Sequence, residues 1–212
     1  MLSAVGLALL GFLLGVRHAV DPDHVIAVTA IATGQRSIRR ATFVGALWGV
    51  GHTVTILVVG GAIILFRIAI PPRLGLAFEF GVGIVLIVLG LANLLSREEK
   101  PTKPSGARPL LVGMVHGLAG SAAVALIVLA AVRDPRWAIG YLMLFGIGTI
   151  VGMMVVTTAI AVPATLAADR MTSARRYLVL ASGAASVIFG VMIAIELAGN
   201  GLFSASPVWT PR

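Results

Sequence analysis

Arg17-His18-Ala19-Val20-Asp21-Pro22-Asp23-His24 places five ionisable side chains and a proline between two apolar runs, Leu2–Val16 and Val25–Ala32. Runs of that kind sit in lipid, where charge is costly and an ionisable side chain is a functional candidate by default. Read as one helix, residues 2–33 would extend about 48 Å, longer than a single crossing requires. Pro22 stands inside it, where a proline removes an N–H, frees the carbonyl of His18 and kinks the chain. The stretch therefore predicts a broken first span, tolerated at membrane depth where it lines a cavity or is covered by protein.

The rest of the 212 residues supports that setting. Hydrophobic residues make up 58% and charged residues only 11%, less than half the usual share of a soluble domain. Apolar stretches at about 2–33, 41–66, 75–95, 109–132, 137–163 and 174–198 give six spans, so the fold class is an all-α integral membrane protein forming one transmembrane domain over 1–212. Half one runs to about residue 95, a proline-containing cytoplasmic linker covers about 96–108, and half two covers about 109–212. Met1–Val16 has no basic n-region, which argues against a cleaved signal peptide. With no cysteine, disulfides and thiolate metal ligands are excluded.

The net charge of +8 is not a nucleic-acid signal, because the basic residues lie in short loops between spans. Ten lie in the loops after spans one, three and five: Arg36, Arg39, Arg40, Arg97, Lys100, Lys103, Arg108, Arg170, Arg175 and Arg176. Five lie on the opposite side: Arg67, Arg73, Arg133, Arg136 and Arg212. The positive-inside bias predicts both termini outside the cytoplasm.

After the linker the pattern begins again. Leu14-Gly15-Val16-Arg17-His18-Ala19 aligns with Val112-Gly113-Met114-Val115-His116-Gly117, Gly51-His52-Thr53-Val54 with Ile147-Gly148-Thr149-Ile150, and Leu89-Gly90-Leu91 with Phe189-Gly190-Val191. Three spans per half would place the halves in opposite orientations, a 3+3 inverted repeat of the transporter type. Ala119, Gly120, Ser121 and Ala122 stand where the first half has Asp21, Pro22, Asp23 and His24, so the first half carries the chemistry.

On a continuous helix His18, Asp21 and His24 share an arc of about 120°, Asp23 faces away unless the kink turns it, and Arg17 lies on the arc side. Two imidazoles and a carboxylate on one face outline a divalent transition-metal site, since imidazole suits Zn, Cu, Fe and Ni. Measured along their spans, His18, His24, His52 and His116 fall in one slab, which predicts a single shared site. The candidate metal residues are His18, Asp21, Asp23, His24, His52 and His116. Plainer readings exist beside this one. A lone histidine such as His116 can serve as a helix–helix hydrogen-bonding group, and Arg17–Asp21 can be an i,i+4 ion pair. The latter would leave Asp23 as ligand or supporting partner, so the choice of aspartate stays open. Glu79 and Glu196 are expected at solvated span ends.

The segment His18-Ala-Val-Asp21-Pro-Asp23-His24 resembles the nickel/cobalt transporter family, whose signature is H-x4-D-H within a transmembrane helix. The wider pattern R-H-A-x-D-x-D-H is present from Arg17 to His24, and Gly51-His52-Thr53 is similar to the family's Gly-His-Ser/Thr element in the following span. Val112-Gly-Met-Val-His116-Gly-Leu-Ala-Gly-Ser121 is similar to the smaller members grouped with urease-accessory nickel permeases. Larger members have eight spans with the motif in the second, and acidic second-half motifs that this chain lacks. The resemblance implies a secondary transporter, not an enzyme, that takes up Ni(II) or Co(II) across a bacterial cytoplasmic membrane, with His18, Asp23, His24 and His52 important. The expected partners are the transported divalent ion, the lipid bilayer and nickel-enzyme maturation machinery, with no resident cofactor and no nucleic acid. A metal exporter and a membrane-embedded metalloenzyme are the alternatives; the latter is opposed by the absence of H-E-x-x-H.

Overall fold

Ala4–His18 (α1) and Pro22–Ala32 (α2) are the two pieces of the opening stretch, separated by Ala19–Asp21. The computed structural model describes residues 4–35, 37–66, 71–96, 106–119, 132, 134–170 and 172–203. After α2 come Ile38–Phe66 (α3), Pro72–Leu95 (α4), Ala107–Leu118 (α5), Pro135–Arg170 (α6) and Thr172–Leu197 (α7), which closes in a wide turn at Ala198–Leu202. The regular elements among the described residues are all helical, with no strand among them. Most of the predicted linker and the later part of the predicted fourth span lie outside the described residues.

Among the described residues, four helices are long and apolar enough to cross a membrane: Ile38–Phe66, Pro72–Leu95, and the segments Pro135–Ala167 and Arg176–Leu197 of α6 and α7. At 15 and 11 residues, α1 and α2 are each too short to cross alone. The break between them follows from the residue before the proline. Pro22 disfavours helical backbone at Asp21, which sits at φ −60°, ψ 142° and becomes the N-cap of α2 with the proline at the first helical position. The His18 carbonyl does not go unpaired: α1 tightens, and the Asp21 N–H donates to it at 3.1 Å while Val20 N–H donates to Arg17 O at 2.9 Å.

Helices in lipid gain little from apolar burial against one another, so close backbone approach at small residues carries the packing. α1 lies against α6, α3 against α5 and α6, and α4 against α7. Where α1 meets α6, Gly15 abuts the Phe145 carbonyl and Gly148 abuts the Phe12 carbonyl. Where α3 meets α5, Gly113 abuts the Trp48 carbonyl and Gly51 abuts the Leu110 carbonyl. A Cβ at any of these four would collide with backbone, so only glycine permits the approach. Gly83 and Gly90 of α4 meet Gly190 and Gly183 of α7 in the same manner.

Polar contacts fasten α2 to a different set of neighbours from α1. Asn93 Nδ2 of α4 donates to Ala30 O at 2.6 Å, and Thr33 and Ser182 of α7 share a hydroxyl hydrogen bond of 3.1 Å. Ser186 of α7 donates to Leu86 O of α4 at 2.7 Å. The break thus falls where the chain passes from the α1–α3–α5–α6 group to the α2–α4–α7 group. Glu79, expected at a solvated span end, is instead buried among the helices at 7% exposure, because its turn of α4 faces inward with Leu76 and Val82.

Candidate metal site

Three helices converge on the break. α1 ends at His18, α2 carries His24 in its first turn, and α3 presents His52; all three are buried. One nitrogen from each lies within 4.8 Å of the other two, close enough for a single ion to take all three after side-chain adjustment. Their ring centroids are 4.6 Å (His18–His24), 4.9 Å (His18–His52) and 5.0 Å (His24–His52) apart. His116, at the end of α5, is fully buried and joins the group through His24, with centroids 5.4 Å apart.

The aspartates sit one step back from this cluster. Asp21 Oδ2 is 2.7 Å from His18 Nδ1, and Asp23 Oδ1 is 3.0 Å from His24 Nδ1. An imidazole that donates from Nδ1 presents the lone pair of Nε2, so each carboxylate fixes the ring orientation and tautomer that metal binding needs. His116 achieves the same with Nδ1 donating to the Val112 carbonyl at 3.1 Å. The Nε2 atoms of His24 and His116 and Nδ1 of His52 are buried without a hydrogen-bond partner. His18 Nε2 and His52 Nε2 are 2.9 Å apart and share one proton between two nitrogens. Buried polar atoms normally find partners, and several unpartnered imidazole nitrogens on neighbouring rings fit the donor set of a metal ion. Two carboxylates one ring away offset a dication's charge where water is scarce.

The break decides two points that a continuous helix left open. Because α1 stops at His18 and α2 restarts at Pro22, angular steps do not carry across the break, and Asp23 reaches the cluster as fully as Asp21 does. Arg17 is exposed and does not pair with Asp21, whose carboxylate takes His18 at i,i+3 instead. Sequence reading missed the aromatic walls. Trp48 is fully buried, its ring 5.1 Å from His116 and stacked at 6.2 Å on His24, and Phe145 lies 5.5 Å from His18. The available signal was spacing: Trp48 is one turn before His52 on the same face of α3.

A polytopic helical membrane protein with imidazoles gathered at a helix break defines a class, that of membrane proteins handling a transition-metal ion. Residues 4–97 match the family model described as high-affinity nickel-transport protein. The chain is 35% identical over 201 residues to the urease accessory protein UreH of Bacillus sp. (strain TB-90), covering 86% of this chain and 87% of that one. It is also similar to chloroplast proteins FOR GROWTH AND FERTILITY 2 and 1 of Arabidopsis thaliana, at 27% and 28% identity. Each match covers 68% of this chain and, respectively, 44% and 46% of the relative, so the chain spans less than half of those proteins. No solved structure matches. The chain belongs to the nickel/cobalt transporter family.

Proposed function

We propose that this protein is a secondary permease that takes up Ni(II), with Co(II) as a second substrate, across a bacterial cytoplasmic membrane. The observation that carries the reading is the His18–His24–His52 cluster at the α1–α2 break, with Asp21 and Asp23 on the outer nitrogens of two of its rings. In this reading the three imidazoles hold the ion, the aspartates orient and neutralise, and His116 assists from the second half. The membrane potential suffices for direction. At about 2.3 kcal/mol per charge per 100 mV, a dication gains about 4.6 kcal/mol on moving to a negative interior. The relative named as a urease accessory protein fits a role in supplying metal to enzyme maturation.

We further infer six spans, α1 and α2 together forming the first, arranged as an inverted repeat of three and three with both termini outside the cytoplasm. Reciprocal contacts support the repeat. Advancing α1 by 98 residues and α3 by 97 turns the Gly15–Phe145 contact into Gly113–Trp48, and Phe12–Gly148 into Leu110–Gly51. An advance of 100 in α4 turns Gly83–Gly190 into Gly183–Gly90. This register pairs Gly51 with Gly148, one residue from the alignment of 96 read from sequence, and makes Thr149 the counterpart of His52. The helix ends agree as well: Ala119 N–H donates to His116 O at 3.1 Å, as Asp21 N–H does to His18 O. With opposed halves, alternating access follows from one group rocking against the other about the break.

Whole-cell accumulation of radioactive Ni(II) and Co(II), with and without the gene, tests the function. Cells carrying the gene are expected to accumulate metal, and His18→Ala and His24→Ala variants present at equal levels in the membrane are expected not to. Normal accumulation by both variants would sink the proposal, and gene-dependent loss of preloaded metal would identify an exporter.

A further inference from the structure

Beside the three-imidazole group lies a second buried polar site. His116 Nε2 and Trp48 Nε1 are both without a hydrogen-bond partner, on fully buried side chains whose rings are 5.1 Å apart. With Nδ1 committed to the Val112 carbonyl, His116 Nε2 is a bare lone pair in the protein interior. Leaving such a group unsatisfied is costly, and an apolar ring of the same shape would avoid that cost. His24 stands between the two sites. Its ring lies against His18, His52 and His116, it stacks on Trp48, and its own Nε2 is also unpartnered.

We propose that His116, walled by Trp48 and adjoining His24, anchors a second and weaker station for the transported dication, which the ion reaches from the His18–His24–His52 group by exchanging one imidazole for the next. The inference rests on the permease reading above. Position supports it: His116 occupies in α5 the place of His18 in α1, at a helix end closed by the same N–H to carbonyl bond, three residues after a glycine pressed on the facing helix. Charge explains the order of affinities. Carboxylates back His18 and His24, whereas a neutral peptide carbonyl backs His116, so the second station offsets less of the dication's charge.

The test uses the full chain in lipid nanodiscs and proteoliposomes, with Ni(II) alone as the probe, in wild type, His116→Phe and His116→Ala. Wild type is expected to bind one tight equivalent and a second that is weaker by about tenfold or more. Both variants should keep the tight equivalent within about threefold, lose the weak one, and carry nickel at least about tenfold more slowly. Weakening of the tight equivalent in step with flux would overturn the proposal by making His116 a ligand of one common site. Unchanged weak binding and flux would overturn it by reducing the ring to packing. Should neither variant fold, a wild type that binds only one equivalent overturns it. A wild type that neither binds nor carries nickel defeats the permease reading itself.

Discussion

His18, His24 and His116 each tie Nδ1 to an oxygen, which leaves Nε2 unpartnered on His24 and His116 and against His52 Nε2 on His18, but the oxygens differ in charge and in what they can lose. The carboxylates on His18 and His24 hold the rings and supply counter-charge; the Val112 carbonyl on His116 only holds the ring. In the proposed site, Asp23→Ala removes orientation and charge together, and a fall in nickel affinity of about 10–100-fold is expected by calorimetry on the purified protein. Asp23→Asn keeps an acceptor oxygen and is expected to fall between the two. An Asn variant as weak as the Ala variant would show that charge alone matters or that Asp23 ligates directly. The histidines and aspartates were legible in the sequence as types and as neighbours. Their division into ring and support was not, because it depends on side-chain directions across a break that no helical angle describes.

At the scale of elements, Pro22 made the break legible, whereas which helices pair through their glycines was not, nor which carbonyl each glycine meets. The Cβ of an alanine at position 15 would collide with the Phe145 carbonyl, and backbone cannot move aside as a side chain can. Gly15→Ala is therefore expected to destabilise by about 1–3 kcal/mol or more, seen as a lower Tm and less monodisperse protein. Gly61→Ala meets nothing within 4 Å and, in a helix interior, is expected to stabilise by up to about 1 kcal/mol. Equal behaviour of the two would contradict packing by close approach. α2 was less legible still. Its attachment to α4 and α7 runs through Asn93, Ser182 and Thr33, single polar residues that read alone as generic helix contacts.

For the whole molecule, the hydropathy pattern set the boundaries of α3, α4 and α7 to within three residues, since apolar runs that must fill a bilayer leave little freedom, whereas α6 runs past the predicted end at 163 to Arg170. The proposed orientation can be checked in the cysteine-free chain. Gly34→Cys should react with an impermeant maleimide only from the cytoplasmic side and Pro71→Cys only from the outside, and the reverse pattern would invert the topology. The proposed repeat rests in the sequence on three loose matches and takes its register from contacts made twice. All of this serves one claim, that the histidine cluster passes nickel across the membrane. Purified protein in proteoliposomes, given external Ni(II) and an imposed interior-negative potential, tests that claim most directly. Nickel is expected to accumulate inside with wild type, to collapse when the potential is removed, and not to accumulate with the His18→Ala/His24→Ala double variant; equal accumulation by that variant, or none by wild type, would contradict it.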